Sequence, residues 1–572
     1  MSTGQRLLLR GYGPLVAFIV FFALMAMLAP TVDQQGDLAA TGTETTTAPD
    51  GGADGAPTPD PANGNGAATA EGPTIDDADG TEASDDDGTA GGSAAGSADD
   101  GADGNGGGGG AADGGDGNGA TAAGACEDRD LQVPGDPYSP PCVTFDGDNG
   151  GATSRGVTDD TIVLSVRTPD EPGFGDTLAN LADADISDSP DDVRRTVEGL
   201  VDYVNERFEF YGRQIEPVFY EGQGSPTDEL LGGGQEAAQQ DALTSSEEIG
   251  AFAELNGSTE PFGDALANQG VVNFGVPYLS RDFMTERRPF VWSMDTDCDL
   301  VAESIADYVV TRVIDKPAEH AGGDLQGQER RVAYVAPDNP FYQGCVEKAM
   351  NMTRDAGHDA QFYSYTLDLN TMSNQAANLV ARLQNDEITT VQCSCDPVLP
   401  VFLTARAAEQ GYQPEWVVSG VGFTTEDYVG QVFNQDQWSR AYGISYDTRA
   451  QPQQASLGYN AYKQVRDDEP GFAVQSIYNN LYLLAIGIQG AGPNLTPDTF
   501  EQGMFDYPER DGPEGVWAFS EGDYTPRVDF REVFWDPREL SGFNNEPGAY
   551  VSSEDVRHRP GETTPGDPRT AN

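Results

Sequence analysis

The stretch RVAYVAPDNPFYQGCVEKAMNMTRDAGHDAQFYSY, residues 331–365, contains one complete strand–helix–strand unit. Arg331–Ala336 is a short apolar run of the strand type, Gln343–Ala356 carries apolar residues at helical spacing, and Gln361–Thr366 alternates as a second strand. Two strands joined by a crossover helix of this length form a βαβ unit, in which the strands lie parallel. The stretch therefore predicts a parallel α/β sheet.

The same alternation continues on both sides of this stretch. Downstream, the pattern predicts helix Ser373–Asn385, strand Thr389–Cys393, helix Leu399–Gln410 and strand Trp416–Ser419. Upstream, it predicts strands Thr161–Val166, Ile215–Tyr220 and Val271–Val276 with helices Asp191–Phe210, Gln235–Leu243, Gly263–Gln269 and Asp297–Ile314. Two such series predict two doubly wound α/β lobes. Because open α/β sheets bind ligands at the carboxyl ends of their strands, the expected site is the cleft between the lobes.

The first thirty residues predict the compartment. Arg6 and Arg10 precede an unbroken apolar run, Leu15–Ala29, whose length lies between a secretory core segment and a full membrane span. A cut after Ala29 is disfavoured, because Met27 rather than a small residue lies three positions before the cut. Residues 1–32 are therefore predicted as an uncleaved signal anchor, with a cleaved signal peptide as the alternative. Both interpretations place the rest of the chain outside the cytoplasm.

The region that follows the anchor is too polar to bury a core. Residues 33–125 are mostly Gly, Ala, Thr and Asp, which predicts a disordered acidic linker that acts as a tether. A loop bracketed by cysteines, residues 126–155, follows the linker, and residues 546–572 are predicted as a polar C-terminal tail.

The net charge of -64 limits the choice of partners. Nucleic-acid binding needs clustered Lys and Arg to contact phosphates, so DNA and RNA are excluded as expected partners. The acid is spread over the whole chain, which predicts a strongly acidic surface. Such a surface either keeps the protein soluble by self-repulsion or adapts it to a salty medium that screens the repulsion.

Six cysteines in a chain predicted to be extracytoplasmic indicate disulfides: Cys126, Cys142, Cys298, Cys345, Cys393 and Cys395. Cys126 and Cys142 bracket a Pro-rich loop and are predicted to pair locally. The pairing among the other four stays open. The thiols at 393 and 395 have no nearby His, so no metal site is predicted.

Several motifs resemble the branched-chain amino-acid-binding type of periplasmic solute-binding protein. The opening Gly156-Val157-Thr158 before a strand resembles that family, as does the turn from Asn205 to Gly212–Glu216. The resemblance covers 156–536 and implies a type I fold whose two lobes are joined by three crossings. The implied lobes are 156–294 with 443–510, and 295–442 with 511–545.

The resemblance also implies a set of ligand-binding residues. In that family a Ser/Thr loop binds the ligand's carboxylate through hydroxyls and free backbone N–H groups, and the loop 256–261 resembles it. An ordinary helix cap is the alternative for such hydroxyls. The full implied set is Phe174, Asn256, Ser258, Thr259, Tyr278, Ser280, Tyr342, Asp396 and Ser419.

Two positions depart from the family pattern. Where the family has a Glu that binds the ligand's ammonium group, this chain offers only Ser419. Asp396 stands where the family has a cleft Tyr, so it could supply the missing carboxylate. These departures leave the ligand class open.

The resemblance implies an extracytoplasmic solute-binding protein of an ABC-type importer, which binds an amino acid or a related amide or acid. It is expected to be a monomer without cofactors that delivers its solute to a membrane permease. Its three His residues are scattered and no nucleophile, zinc or phosphate-binding motif is present, so no enzyme is predicted. The alternative is a tethered ligand sensor, which needs an output domain that the short N-terminal segment does not supply.

Overall fold

The computed structural model of the protein describes residues 129–168, 186–255, 257 and 259–569, all of which lie in one compact unit. The predicted anchor and linker, together with Cys126, Phe174, Asn256 and Ser258, lie outside the described residues. No helix in the described ranges is long and apolar enough to cross a membrane.

The strands alternate with helices along most of the chain, as the sequence predicts. The strands are β1 Thr161–Thr168, β2 Gln214–Glu221, β3 Ala253–Glu254, β4 Val272–Phe274, β5 Val291–Trp292, β6 Val332–Pro337, β7 Ala360–Tyr365, β8 Thr390–Cys393, β9 Glu415–Val418, β10 Ala441–Ser445, β11 Arg510–Gly512, β12 Gly515–Trp517, β13 Phe530–Leu540 and β14 Pro547–His558.

The α-helices are α1 Pro190–Arg207, α2 Pro226–Leu230, α3 Gln235–Leu243, α4 Glu260–Asn268, α5 Arg281–Glu286, α6 Cys298–Tyr308, α7 Pro340–Asp355, α8 Met372–Asn385, α9 Leu399–Glu409, α10 Asp427–Gly430, α11 Gln435–Trp438, α12 Leu457–Val465, α13 Val474–Ala491 and α14 Pro497–Phe505. Helix α1 shows why these segments begin where they do. Ser189 and Asp192 form a capping box and Pro190 occupies the first helical position, so the exposed backbone N–H groups gain partners.

Two sheets define two lobes. The sheet of lobe 1 has the order β2-β1-β3-β4-β5 and is parallel throughout. The sheet of lobe 2 has the order β14-β13-β10-β9-β8-β6-β7, in which β13 runs antiparallel to both of its neighbours. The predicted pair of α/β lobes is confirmed, and the second sheet is a mixed one.

The chain crosses between the lobes three times. The first crossing follows β5, the second follows β10 and the third follows β12. Because β10 belongs to the sheet of lobe 2, the second crossing lies a few residues beyond the predicted boundary at 443. The hairpin β11–β12 belongs with lobe 1, since Trp517 is buried in that core and stacks on Tyr138 at 4.1 Å between ring centroids.

The segment predicted as a polar C-terminal tail is instead part of lobe 2. Strand β14 completes the sheet, and the buried Tyr550 accepts a hydrogen bond from Trp438 Nε1 at 2.9 Å and donates one to Thr424 O at 2.7 Å. Beyond the strand, Asp567 Oδ1 lies 2.8 Å from His320 Nε2. The polar run at residues 552–555 conceals this strand in the sequence, because it lacks the apolar residues that mark a buried strand.

The cysteines that the sequence left open are paired in the structure. Cys298 is bonded to Cys345, which joins α6 to α7, and Cys393 is bonded to Cys395 at the end of β8. Cys142 is also disulfide-bonded. Its predicted partner, Cys126, lies outside the described residues, so that pairing stays a prediction.

Candidate ligand-binding cleft

The lobes contact each other at loops that follow their strands. The side-chain amide of Asn339, after β6, donates a hydrogen bond to Leu230 O of lobe 1 at 3.3 Å. The backbone N–H of Gly422, after β9, donates one to the hydroxyl of Tyr278, after β4, at 3.3 Å. Both contacts join carboxyl-terminal strand ends or their adjoining helices, where ligands of α/β proteins bind. The structure therefore has the two lobes closed on each other at the predicted cleft.

The Tyr278–Gly422 contact has an unusual backbone on both sides. Tyr278 has a φ of 56°, a left-handed conformation that bulky residues rarely adopt, and Gly422 has a φ of 58°. A Cβ atom added at Gly422 would lie 3.0 Å from Cys395 O, so the close approach requires glycine. Backbone strain of this kind concentrates at ligand sites. Burial, followed by the nearby Asp295, raises the pKa of Tyr278 far above its ordinary value.

The floor of the cleft collects charged side chains from all three crossings. Asp295 lies on the first crossing, Asp447 on the second and Arg527 on the third. Arg527 Nη1 lies 3.0 Å from Asp447 Oδ1, and Arg527 Nη2 lies 3.7 Å from Glu514 Oε2. Glu426, at the start of α10, faces Asp447 and Arg527 from lobe 2. We call Asp295, Glu426, Asp447 and Arg527 the cleft floor.

The carboxyl groups of the cleft floor are partly buried. Burial raises the pKa of Asp295 to about 6, while Arg527 opposes this and Asp447 adds to it. Burial raises the pKa of Glu426 to about 8, and Asp447 and Asp427 raise it further, whereas Arg531 and Arg527 lower it. Burial is the largest cause at both carboxyl groups, and at Asp295 the effect of Arg527 is larger than that of Asp447.

We expect Glu426 to make the ligand-free protein less stable as the pH rises. Its pKa in the folded protein, about 8, lies above the 4.5 of a free Glu, so the folded state binds the proton more tightly. The protonated carboxyl group of Glu426 stabilises the folded state fully below pH 4.5, and this stabilisation is lost as the pH rises through 8. Glu426→Gln, which resembles the protonated form, should therefore unfold with a free energy higher by at most about 5 kcal/mol at pH 8.5 and nearly unchanged at pH 5.

Urea unfolding at several pH values measures this effect. Glu286→Gln is the matched control, because the Glu286 side chain is 76% exposed. Parallel stability curves for wild type and Glu426→Gln would contradict the prediction.

Three of the predicted hydroxyl ligands are engaged within the protein. Thr259 is 1% exposed and its hydroxyl donates to Glu229 Oε2, inside lobe 1. The Ser280 hydroxyl accepts from Phe283 N at 3.1 Å, as a cap of α5. Ser419 is fully buried and its hydroxyl accepts from Ser394 Oγ at 3.0 Å. Ser280 therefore acts as a helix cap whose O–H is still free to donate within the described part of the chain, whereas the hydroxyls of Thr259 and Ser419 donate inside their own lobes.

The other described candidates, Tyr342 and Asp396, lie at helix starts in lobe 2. Tyr342 is in the first turn of α7, where burial raises its pKa to about 12 and Glu260 of lobe 1 adds to the effect. Asp396 accepts hydrogen bonds from Val398 N at 2.8 Å and from the Tyr365 hydroxyl at 2.5 Å. Tyr342 thus faces the opposite lobe, whereas the Asp396 carboxylate is committed to the start of α9.

An open groove borders the same cleft on lobe 1. It has a volume of about 300 Å³ and is lined by side chains of α3 and α4 together with Phe341 of lobe 2. Its lining is rich in amides: Gln235, Gln239, Gln240, Asn268 and Gln269. Glu260, which also lines the groove, has its pKa raised to about 7 by burial and by Asp264.

One group among the described residues has the composition of a metal site. Cys298, Asp299 and Cys345 bring their ligand atoms within 4.8 Å of one another. The two sulfurs are bonded to each other, so they are not available as thiolates. The group therefore supports no metal site.

Sequence reasoning missed the whole cleft floor. Asp295 and Asp447 follow the ends of β5 and β10, but neither strand was predicted from the sequence, so the rule that ligands bind at strand ends could not be applied to them. Glu426 carried no signal of any kind, because it is one of 95 acidic residues in the chain. Arg527 could be placed only once the third crossing was known.

Comparison with known proteins gives one family match. The family described as periplasmic binding protein matches residues 185–536. A search of curated proteins found no match.

Solved structures with a similar fold share little sequence with this chain. An ABC transporter substrate-binding protein from Aeropyrum pernix is 14% identical, and the match covers 71% of this chain and 97% of that one with a TM-score of 0.49. A solute-binding protein of an ABC transporter from Rhodopseudomonas palustris, in complex with 3,4-dihydroxybenzoic acid, is 11% identical, with 70% and 98% covered and a TM-score of 0.49. A leucine-binding protein from Thermotoga maritima is 12% identical, with 70% and 100% covered and a TM-score of 0.48.

Proposed function

Because this chain belongs to the periplasmic binding protein family, we propose that it is an extracytoplasmic solute-binding protein of an ABC-type importer. It binds a small solute between its lobes and closes on it by a hinge motion at the three crossings. The bound solute passes to a membrane permease. The N-terminal apolar run keeps the monomeric protein at the cell membrane.

The observation that best supports this function is the hydrogen bond between Tyr278 and Gly422. It joins the two lobes directly and has no role inside either one. A ligand favours the closed state only through interactions that the open state lacks, and a contact of this kind adds to that difference. Loss of this hydrogen bond should therefore weaken the affinity for the solute.

Tyr278→Phe is expected to weaken solute affinity about 2- to 12-fold, because a typical hydrogen bond is worth about 0.5–1.5 kcal/mol. Tyr459→Phe is the matched control, since the Tyr459 hydroxyl bonds Glu469 on the exposed surface of lobe 1. The solute is first identified by mass spectrometry of the gently purified full chain. Calorimetry then gives its affinity for each variant, and solution scattering gives the compaction of the wild type on binding.

Two results would contradict the proposed function. The first is that no small molecule is retained and none rebinds. The second is that a solute binds while the scattering curve stays the same, because closure is then absent.

A further inference from the structure

We propose that the Cys393–Cys395 disulfide is a positioning element for lobe closure, because it holds the surface on which Gly422 reaches the other lobe. The bridge lies at the end of β8, inside lobe 2, and both of its residues are 2% exposed. This inference rests on the proposed function, since it concerns the contact between Tyr278 and Gly422 that joins the lobes. It assigns the bridge a role in solute binding in addition to any role in stability.

The chain that leaves the bridge forms the surface beneath Gly422. A Cβ atom added at Gly422 would lie 3.0 Å from Cys395 O, 3.7 Å from Asp396 Cα and 3.8 Å from Pro397 Cδ. The α-carbon of Gly422 therefore packs directly on residues 395–397. At 3.3 Å, the hydrogen bond from Gly422 N to Tyr278 is already at the long end of the usual range. A small displacement of the segment below Gly422 is therefore enough to break it.

The backbone groups on either side of Cys395 are held by hydrogen bonds, whereas those of Cys395 are not. Ser394 N donates to Val335 O at 3.1 Å, and Asp396 N donates to the Tyr365 hydroxyl at 3.0 Å. Within the described ranges, the backbone N–H and C=O groups of Cys395 make no hydrogen bond. The disulfide to the end of β8 is therefore the bond that fixes the position of Cys395 O.

The loops after β8 and β9 are joined by further contacts around the bridge. Cys393 is the register partner of Val418 in the parallel pair β8–β9, and the Ser419 hydroxyl donates to Cys393 O at 3.5 Å. Ser394 Oγ donates to Ser419 Oγ at 3.0 Å. The two loops thus form one unit, and the conformation that the bridge imposes after β8 reaches Gly422 on the loop after β9.

A role in positioning can be separated from a role in stability. The bridge has a sequence separation of 2, so its loss frees the unfolded chain only slightly. Leu383→Ala provides the opposite case, because Leu383 is fully buried in the same lobe and its truncation leaves a cavity. Leu383 lies next to the start of β8, since Ile388 N donates to Leu383 O at 2.9 Å, whereas Gly422 follows the end of β9.

Hydrogen exchange at the Gly422 amide of the full chain, measured by mass spectrometry with fragmentation of its peptide, tests the proposal without a solute. Tyr278→Phe removes the acceptor, so its exchange should be about 2- to 12-fold faster than in the wild type, the range for one hydrogen bond. Cys393→Ser combined with Cys395→Ser should reach the same rate. Adding Tyr278→Phe to that pair should give no further increase, because both changes remove the same contact. Leu383→Ala should keep the wild-type rate while urea unfolding shows a larger loss of stability.

A double Ala variant at 393 and 395 repeats the test with a different side chain, and circular dichroism verifies that every variant is folded. Wild-type exchange at Gly422 in both bridge variants would overturn the proposal, as would equal acceleration in Leu383→Ala. Equal rates in the wild type and Tyr278→Phe would also overturn it, because there is then no contact to position. The proposed function is tested separately, by solute retention and by compaction on binding, so each can fail while the other stands.

Discussion

Replacing Arg167 with Met is expected to destabilise the protein by about 3–5 kcal/mol, because it leaves two buried carboxylates without their cation. Arg167 is 2% exposed and bonds Glu229 through both terminal nitrogens, at 2.8 and 2.9 Å. It also lies 3.2 Å from Asp241, and its guanidinium stacks 3.7 Å from the centre of the Phe262 ring. One cation therefore holds together β1, α2, α3 and α4.

Denaturant unfolding of the full chain measures this loss. The control is Arg195→Met, because Arg195 pairs with Asp192 at the surface, where its side chain is 37% exposed and an ion pair is worth about 1 kcal/mol or less. Adding Glu229→Gln to Arg167→Met should recover part of the stability, since one of the unpaired charges is removed. Equal losses in Arg167→Met and Arg195→Met would show that the buried pair contributes no more than a surface one.

Removing the Cys298–Cys345 disulfide by changing both residues to Ser is expected to cost up to about 4 kcal/mol. The bond closes a loop with a sequence separation of 47, and such a crosslink restricts the unfolded chain by roughly this amount. The loss should appear as a lower denaturant midpoint with the α/β circular dichroism spectrum retained. The wild type after reduction should lose at least as much, because reduction also opens the Cys393–Cys395 bond.

The Cys393–Cys395 bridge provides the matched control. Its sequence separation is 2, so it restricts the unfolded chain far less. The double Ser variant at these positions should therefore lose less stability than the variant at 298 and 345. The reverse order would refute the loop-entropy explanation.

The sequence was sufficient to predict the α/β series, because long amphipathic helices and apolar strands have recognisable spacings of apolar residues. Helix α8, Met372–Asn385, lies within one residue of its predicted range. Strands β3 and β5 have only 2 residues each, which is too short for a period to appear. Strand β14 was missed for another reason, since its run at residues 552–555 is as polar as a tail.

The candidate site was harder to predict than the fold. Local motifs located loops near the cleft, such as those of Tyr278 and Tyr342, but they do not say where a hydroxyl points. Thr259 is hydrogen-bonded to Glu229, 30 residues away in sequence, and a local sequence motif cannot predict a contact across that separation. The Asp447–Arg527 pair likewise joins two crossings whose meeting depends on the complete topology.

The position of β13 determines when lobe 2 can be completed during synthesis. Strand β10 pairs with β13 through Tyr442–Phe534 and its neighbours, so the edge of β10 stays uncovered on the nascent chain until about ninety further residues have been added. During that interval an apolar strand edge is available to other chains. Ribosome-stalled or truncated products that end before Phe530 should therefore aggregate, while products that include β13 should not.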